Sequence, residues 1–208
     1  MNSFNYIISD RHRLLTDGEG VTTLVVLSGC PLSCSYCINK NILKKGKVKI
    51  ISPTKLWEEL SIDYCYFVAT NGGITFGGGE PLLQSRAIKD FKSIIPQEVT
   101  VNIETSLNVT SDHLMDVYDI TKLFLIDIKD MNNDIYTKYT ATDNTKVLEN
   151  LKLITELGIQ DKCVIRIPII PEYNTEADNQ KSIEILTKMG FTKFDRFKYR
   201  VKEIKKKN

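Results

Sequence analysis

Short β-branched runs alternate with amphipathic stretches along this chain. Thr22–Ser28 (Thr-Thr-Leu-Val-Val-Leu-Ser) reads as a buried strand. Ser52-Pro53 supplies an N-cap and a proline at the first helical position, so a helix opens there and runs to Leu60. Cys65–Val68 is a short apolar run that fits an extra strand or loop packing. Gly73–Phe76 is a strand that runs straight into glycines, Ser85–Ile95 has helical spacing, and Val99–Glu104 is again a strand. Ser111 caps a helix to Tyr118, and Lys122–Ile128 is the next strand. Asn144–Leu157 is the clearest helix, with Val147, Leu148, Leu151, Ile154 and Leu157 on one face and Gly158 as the stop. Lys162–Pro168 is a strand, Glu176–Met189 is a helix ended by Gly190, and Thr192–Tyr199 is the last strand.

Six strands alternating with five helices of this length imply parallel pairing through crossover connections. An open doubly wound sheet and a partial barrel both satisfy that pattern. The polar residues of interest fall at or just after the C-terminal ends of strands. Cys30, Cys34 and Cys37 follow the first strand and Gly77–Glu80 the second. Glu104-Thr105-Ser106 ends the third, Asp127 and Lys129 the fourth, and Arg166 lies near the end of the fifth. Parallel α/β folds gather their active sites at that edge, so one site built from many strands is expected.

Composition narrows the class. The 208 residues are 42% apolar and 26% charged, which excludes a disordered chain, a collagen and a disulfide-dense miniprotein. A single domain over 1–208 is expected, with a short N-terminal extension (1–21) and a basic, solvated C-terminal tail (201–208). Lys plus Arg number 28 and Asp plus Glu 26, so a net charge of +2 gives no electrostatic case for nucleic acid. The N-terminus has no basic start followed by a long apolar run. The longest apolar stretches, about five to seven residues, fall far short of the roughly 18 that span a bilayer. The expectation is a cytoplasmic protein with no membrane partner. Five cysteines in such a chain are read as metal or redox groups before disulfides.

Three of those cysteines lie within eight residues, in Gly29-Cys30-Pro31-Leu32-Ser33-Cys34-Ser35-Tyr36-Cys37. Cys-x3-Cys-x2-Cys on a tight loop can wrap one face of a cubane iron–sulfur cluster, since soft thiolates suit such sites. Three protein ligands leave one iron with an open position for substrate or cofactor. A structural zinc module is the competing reading. It needs a fourth ligand nearby, and neither histidine, His12 or His113, has finger-like spacing. Cys65 and Cys163 fit no motif and are expected as small buried hydrophobes.

With Tyr36 before the last cysteine and Gly77-Gly78-Gly79-Glu80-Pro81 after the second strand, the chain resembles the radical S-adenosylmethionine (SAM) enzymes. Within them it is most similar to glycyl-radical-enzyme activases of the pyruvate formate-lyase-activating type. Asp17-Gly18-Glu19-Gly20-Val21 (with Glu19 in place of the family's Pro), Ile74–Gln84, Ile103-Glu104-Thr105-Ser106, Ile126-Asp127-Ile128-Lys129 and Arg166–Pro171 match segments of that family, a resemblance over roughly residues 5 to 200.

The resemblance implies a partial (β/α)6 TIM-like barrel of parallel strands, a [4Fe-4S] cluster and SAM. Its chemistry is reductive cleavage of SAM to a 5′-deoxyadenosyl radical, used to activate a glycyl-radical protein. Cys30, Cys34 and Cys37 become cluster ligands. Gly77, Gly78, Gly79 and Glu80 meet the methionine amino group, glycines being needed where backbone approaches a ligand closely. Tyr36, Asn39, Glu104, Thr105, Asp127, Lys129 and Arg166 line the cofactor pocket, with Asn39 facing the adenosine. Arg166 sits in an apolar run and needs a charged partner.

Ile38 stands where activases have His, and Lys198-Tyr199-Arg200 stands where they have Pro-Tyr-His, so Arg200 is the candidate replacement for that His. The implied partners are a glycyl-radical protein or peptide substrate and a reductant such as flavodoxin or ferredoxin, in an anaerobic setting. A radical enzyme acting on a peptide or small molecule shares the same motifs.

Overall fold

The computed structural model describes residues 2–199. One eight-stranded sheet contains β1 (Phe4–Leu14), β2 (Val21–Leu27), β3 (Lys49–Ile51), β4 (Gly73–Gly78), β5 (Thr100–Thr105), β6 (Leu123–Asp127), β7 (Cys163–Ile169) and β8 (Phe194–Lys198). Their spatial order is β3-β1-β2-β4-β5-β6-β7-β8. From β2 to β8 along that order every pair is parallel, while β1 runs antiparallel to both β2 and β3. The helices are α1 (Lys40–Lys45), α2 (Pro53–Leu60), α3 (Tyr64–Thr70), α4 (Ser85–Ile94), α5 (Ser111–Met115), α6 (Asn133–Thr140), α7 (Thr145–Glu156) and α8 (Glu176–Lys188). The expected six parallel strands are present, and the sheet curls into a partial barrel. Side chains of β1 (Asp10, Arg13) and β8 (Asp195, Phe197) line one cavity although the two strands do not pair.

Alternation along the strands sorts the two faces. Val25 and Leu27, Ile74 and Phe76, Val101 and Ile103, Phe124 and Ile126, Ile165 and Ile167 point outward into one core with the helices. Phe76 anchors it, stacked on Phe4 with centroids 5.3 Å apart and edge-on to Phe91 at 5.4 Å. The residues between them, Asn102, Glu104, Asp127 and Arg166 among others, therefore face the barrel interior. Helix starts follow local chemistry: the Ser52 hydroxyl caps α2 by accepting from the Lys55 amide, and Thr175 with Asp178 forms a capping box on α8.

Three expectations need correction. Residues expected as an N-terminal extension form β1, an integral strand. Its charged run Ser9-Asp10-Arg11-His12-Arg13 hides the alternation, and the ladder slips twice, between Tyr6 and Ile8 and between Asp10 and Arg13. Cys65–Val68 lies in helix α3, where Phe67 alone of α3 is buried, and Cys65 is exposed rather than buried. Cys163 is buried as expected. The basic tail lies outside the described residues.

The slipped part of β1 is clamped to the helical layer by Asp63, whose side chain is fully buried. Its carboxylate accepts from Arg11, from Thr23 Oγ1 at 3.3 Å and lies 3.0 Å from His12 Nε2. The hydrogen bond from Arg11 holds the Asp63 carboxyl below its ordinary value, against burial, with His12 helping. A depressed folded-state pKa means stabilisation that is complete above the unfolded value and fades as pH falls through the folded one. Asp63→Asn should cost about 1–3 kcal/mol at pH 7, with the deficit shrinking in acid below the ordinary aspartate value of 3.8, read by urea melts across pH. Phe76→Ala should cost about 3–5 kcal/mol at any pH by the same melts.

Candidate active site

The cysteines ride on the long connection from β2 to α1, and that loop is stapled from both flanks. On one side the Gly79 amide donates to the Leu27 carbonyl at 3.0 Å and the Glu80 amide to the Gly29 carbonyl at 2.7 Å. Asn39 Nδ2 donates to the Gly78 carbonyl at 2.8 Å, and Gln84 Nε2 to the Ser28 carbonyl at 2.9 Å. On the other side the Ser33 and Ser35 amides donate to the Thr140 and Tyr139 carbonyls, at 2.9 and 3.1 Å, at the end of α6. Tyr173 donates to Ser35 Oγ at 2.7 Å, and Tyr36 to Glu172 at 2.8 Å.

Two glycines make the first flank possible. Gly78 has φ +94°, and a Cβ on Gly79 would collide with the Gly29 carbonyl oxygen. The close approach is thus between the glycine segment and the cysteine loop. Glu80 explains the rest of the segment. It is 1% exposed, and its carboxylate accepts from Thr105 Oγ1 (2.7 Å), the Ser106 amide (2.8 Å), Ser106 Oγ (2.7 Å) and the Leu82 amide (3.2 Å). Burial raises its pKa, and these donors oppose the rise.

The loop opens onto a cavity of about 1020 Å³ at the C-terminal ends of the parallel strands. Cys30, Cys34, Tyr36, Cys37, Asn39, Gly78, Gly79, Glu104, Thr105, Asp127, Lys129 and Arg166 all line it. Gly77 and Glu80 do not. Gly77 is buried against Glu104 and Leu24, and Glu80 turns away to tie β4 to the end of β5, so its place is beneath the cavity wall. Arg200 lies outside the described residues.

Charge inside the cavity is dense and mutually arranged. Asp127, Arg166 and Asp195 are lateral neighbours on β6, β7 and β8. Arg166 donates to Glu104 at 2.7 Å and to the Thr16 carbonyl at 2.8 Å, with Asp17 at 4.0 Å and Asp195 at 3.9 Å. Burial lowers the guanidinium pKa, but Glu104, Asp127 and Asp17 outweigh it and the pKa is raised. Burial likewise lifts the Glu104 carboxyl, against the pull of Arg166. Lys129, 7% exposed, reaches Asp127 at 3.2 Å and the Tyr199 hydroxyl at 3.2 Å. Burial disfavours its charge, yet Asp127 and Tyr199 prevail and its pKa is raised. Asp17, Tyr139, Asp195 and Tyr199 are cavity residues that the sequence reading did not mark as site residues. Of these, Asp17 carried a signal, the glycines flanking it in Asp17-Gly18-Glu19-Gly20. The other three become cavity residues only through the curl of the sheet.

The donor set fits a cubane cluster. Among the described residues no three His, Cys, Asp or Glu side chains converge to hold a single metal ion. A cubane instead takes each thiolate at a different iron, which a spread three-cysteine loop can offer. Crowding by protein pushes the Cys30 thiol up to about 11 and raises Cys34, so iron must displace protons to bind. The buried Tyr139 hydroxyl on the cavity wall has no hydrogen-bond partner among the described residues, as a ligand site would leave it.

The family model described as the radical SAM superfamily matches residues 24–180. The chain belongs to the radical SAM superfamily. That superfamily uses a [4Fe-4S] cluster and SAM. This radical SAM chain is 30% identical to the (2S)-3-sulfopropanediol dehydratase activating enzyme of Klebsiella oxytoca, over 84% of this chain and 74% of that one. It is 29% identical to the pyruvate formate-lyase-activating enzyme of Clostridium pasteurianum, over 84% and 72%. Among solved structures it is similar in fold to Streptococcus suis SuiB, with a TM-score of 0.66 at 13% identity, covering 87% of this chain and 40% of that one. The same protein bound to S-adenosylmethionine gives 0.63 at 14% identity, over 87% and 39%. The chain thus spans about two fifths of SuiB, and the likeness speaks for the fold alone.

Gly79→Ala should leave a helical, folded apoprotein by circular dichroism but cut iron retained after anaerobic reconstitution by more than half. The added methyl pushes the cysteine loop off its backbone staples. Iron content equal to wild type would show that the staple does not shape the cluster site.

Proposed function

We propose that this protein is a glycyl-radical-enzyme activase that cleaves SAM reductively and hands the resulting radical to a partner protein. The observation that carries the reading is the three-cysteine loop on one large strand-end cavity, in a chain about 30% identical to two activating enzymes over most of its length. When bound, the cluster supplies one electron to the sulfonium of SAM, so that a carbon–sulfur bond breaks to give methionine and a 5′-deoxyadenosyl radical. The chain's own residues supply placement. Cys30, Cys34 and Cys37 would hold the cluster, and their number would leave one iron free to take SAM. The backbone of Gly78 and Gly79 forms one wall and Lys129, dry and charged, faces the methionine carboxylate as a point charge. Glu104, Thr105, Asp127 and Arg166 line the opposite strands, with Tyr36 and Asn39 on the cysteine loop. Glu80 and Gly77 act from beneath, by fixing the glycine segment.

At about 1020 Å³ the cavity sits at the upper end of small-ligand pockets, roughly 300–1000 Å³, and leaves room for a glycine-bearing loop beside the cofactor. The gap between β1 and β8 is the entry. The electron comes from a reduced flavodoxin or ferredoxin, and the setting is the anaerobic cytoplasm, where free thiols persist. No helix among the described residues is long and apolar enough to cross a membrane.

Reconstituted anaerobically, the wild type should be brown, bind about four irons and form 5′-deoxyadenosine with dithionite. Cys34→Ala should lose the colour and the product. Lys129→Met should keep the cluster and weaken SAM binding by about 30-fold, the ~2 kcal/mol typical of losing one partner of a buried charge pair. A glycine-centred radical signal on a glycyl-radical protein encoded beside this gene completes the test. Product formed only with a short precursor peptide would move the chain to peptide modification.

A further inference from the structure

The chain's charge is unevenly spread. Between Gly20 and Trp57 there is no Asp or Glu, while Lys40, Lys44, Lys45, Lys47, Lys49 and Lys55 all fall there. That stretch holds six positive charges in a protein whose net charge is +2. Lys55 pairs with Glu58 at 2.9 Å. The other five are exposed and make no ion pair among the described residues.

Their position is fixed by the site. Ile38, the residue after Cys37, is 93% exposed and lines the cavity mouth. The Lys40 amide donates to the Cys37 carbonyl at 3.2 Å, so α1 starts at that lip. Ile42 and Leu43 line the cavity, and the helical period puts Lys40, Lys44 and Lys45 on the opposite, outer side. At the end of α1 a Cβ on Gly46 would collide with the Ile42 carbonyl and press on Ile7 of β1, so the helix is seated on the sheet. Lys47 leads into β3, where Lys49 pairs with Tyr6. The five lysines thus form a rigid ridge that begins three residues after a cluster ligand.

Five like charges within ten residues repel one another, and among the described residues none of them is within ion-pair distance of a carboxylate. Exposed Val48 and Ile50 sit among them, 48% and 80% accessible. Apolar points ringed by unpaired lysines match the make-up of an interface for an acidic partner. A nucleic acid also seeks lysines, but the chain's overall charge is near balance and no aromatic side chain interleaves the ridge.

We propose that the ridge Lys40–Lys49 docks an acidic one-electron carrier protein, of flavodoxin or ferredoxin type, against the cysteine-loop side of the active site. The carrier is oxidised by one electron and the cluster reduced by one, and no bond or proton changes hands at the docking step. This rests on the radical reading above.

The test uses the reconstituted holoenzyme and the variant K40Q/K44Q/K45Q, with flavodoxin hydroquinone and, separately, reduced ferredoxin as donors. Carbodiimide coupling should join carrier carboxylates to Lys40–Lys49 in the wild type, mapped by peptide mass, and lose those links in the variant. With at least one carrier, 5′-deoxyadenosine formation should fall about tenfold or more in the variant and fall with added salt in the wild type. Dithionite-driven formation should stay within twofold.

Equal carrier-driven rates for both proteins overturn the proposal, as does a wild type that turns over with dithionite but with neither carrier. Equal loss with dithionite reassigns the ridge to cofactor or substrate binding. Tight binding of a single-stranded RNA oligonucleotide that the variant loses also overturns it. A wild type inert with dithionite sinks the radical reading itself, an outcome separable from all of these.

Discussion

A loop that carries three ligands has no side chains to spare for a core of its own, so its shape must be imposed from outside. Here the imposing force is backbone hydrogen bonding. The β2–β4 ladder continues past both strands, through the Gly79 and Glu80 amides to the Leu27 and Gly29 carbonyls. Only glycine at 78 and 79 lets the two chains approach so closely. Glu80 then anchors the other edge of the segment to the end of β5 through three donors from Thr105 and Ser106, with the Leu82 amide as a fourth from its own segment. A buried carboxylate that well satisfied is costly to disturb. The cysteine loop, the glycine segment and the end of β5 behave as one unit.

Within the cavity the electrostatics follow from sheet register. Acidic and basic side chains occupy neighbouring inward positions on β6 to β8, β5 adds Glu104, and Asp10 and Arg13 of β1 with Asp17 just after that strand face them across the gap. Arg166 is the hub. Its contacts with Glu104 and with the Thr16 carbonyl join the last strands to the segment between β1 and β2, bridging a seam that no strand pair closes. Lys129 plays the corresponding part nearer the cysteines, tied to Asp127 and Tyr199.

Much of this was legible in the sequence, and the reasons are specific. The six parallel strands and five of the helices follow from unbroken runs such as Thr22–Ser28 and from the capped, periodic helix that ends at Gly158. The cysteine spacing and the placement of Glu104, Asp127, Lys129 and Arg166 at strand ends pointed to one cavity, and they share it. β1 was not legible because its charges and two slips hide a strand whose partners lie on both sides. Glu80 was placed at the ligand because its neighbours in sequence are; its direction depends on Ser106, which only the fold brings near. Cys65 looked buried because its run is apolar, but of that helix only Phe67 is buried in the core and Tyr64 partly buried against it. Tyr199 stands at the tyrosine of the Pro-Tyr-His-like segment, beside the expected Arg200, and Asp195 carries no local signal at all.

The last strand has a consequence for the protein's behaviour in concentrated solution. β8 ends the sheet, so one row of its amide and carbonyl groups faces outward without a neighbouring strand among the described residues. Such an edge can template pairing between molecules. Its sequence, Phe-Asp-Arg-Phe-Lys, alternates aromatic grip with charge of both signs, and Asp195, Arg196 and Lys198 are all exposed. Those charges act as gatekeepers that oppose such colloidal association.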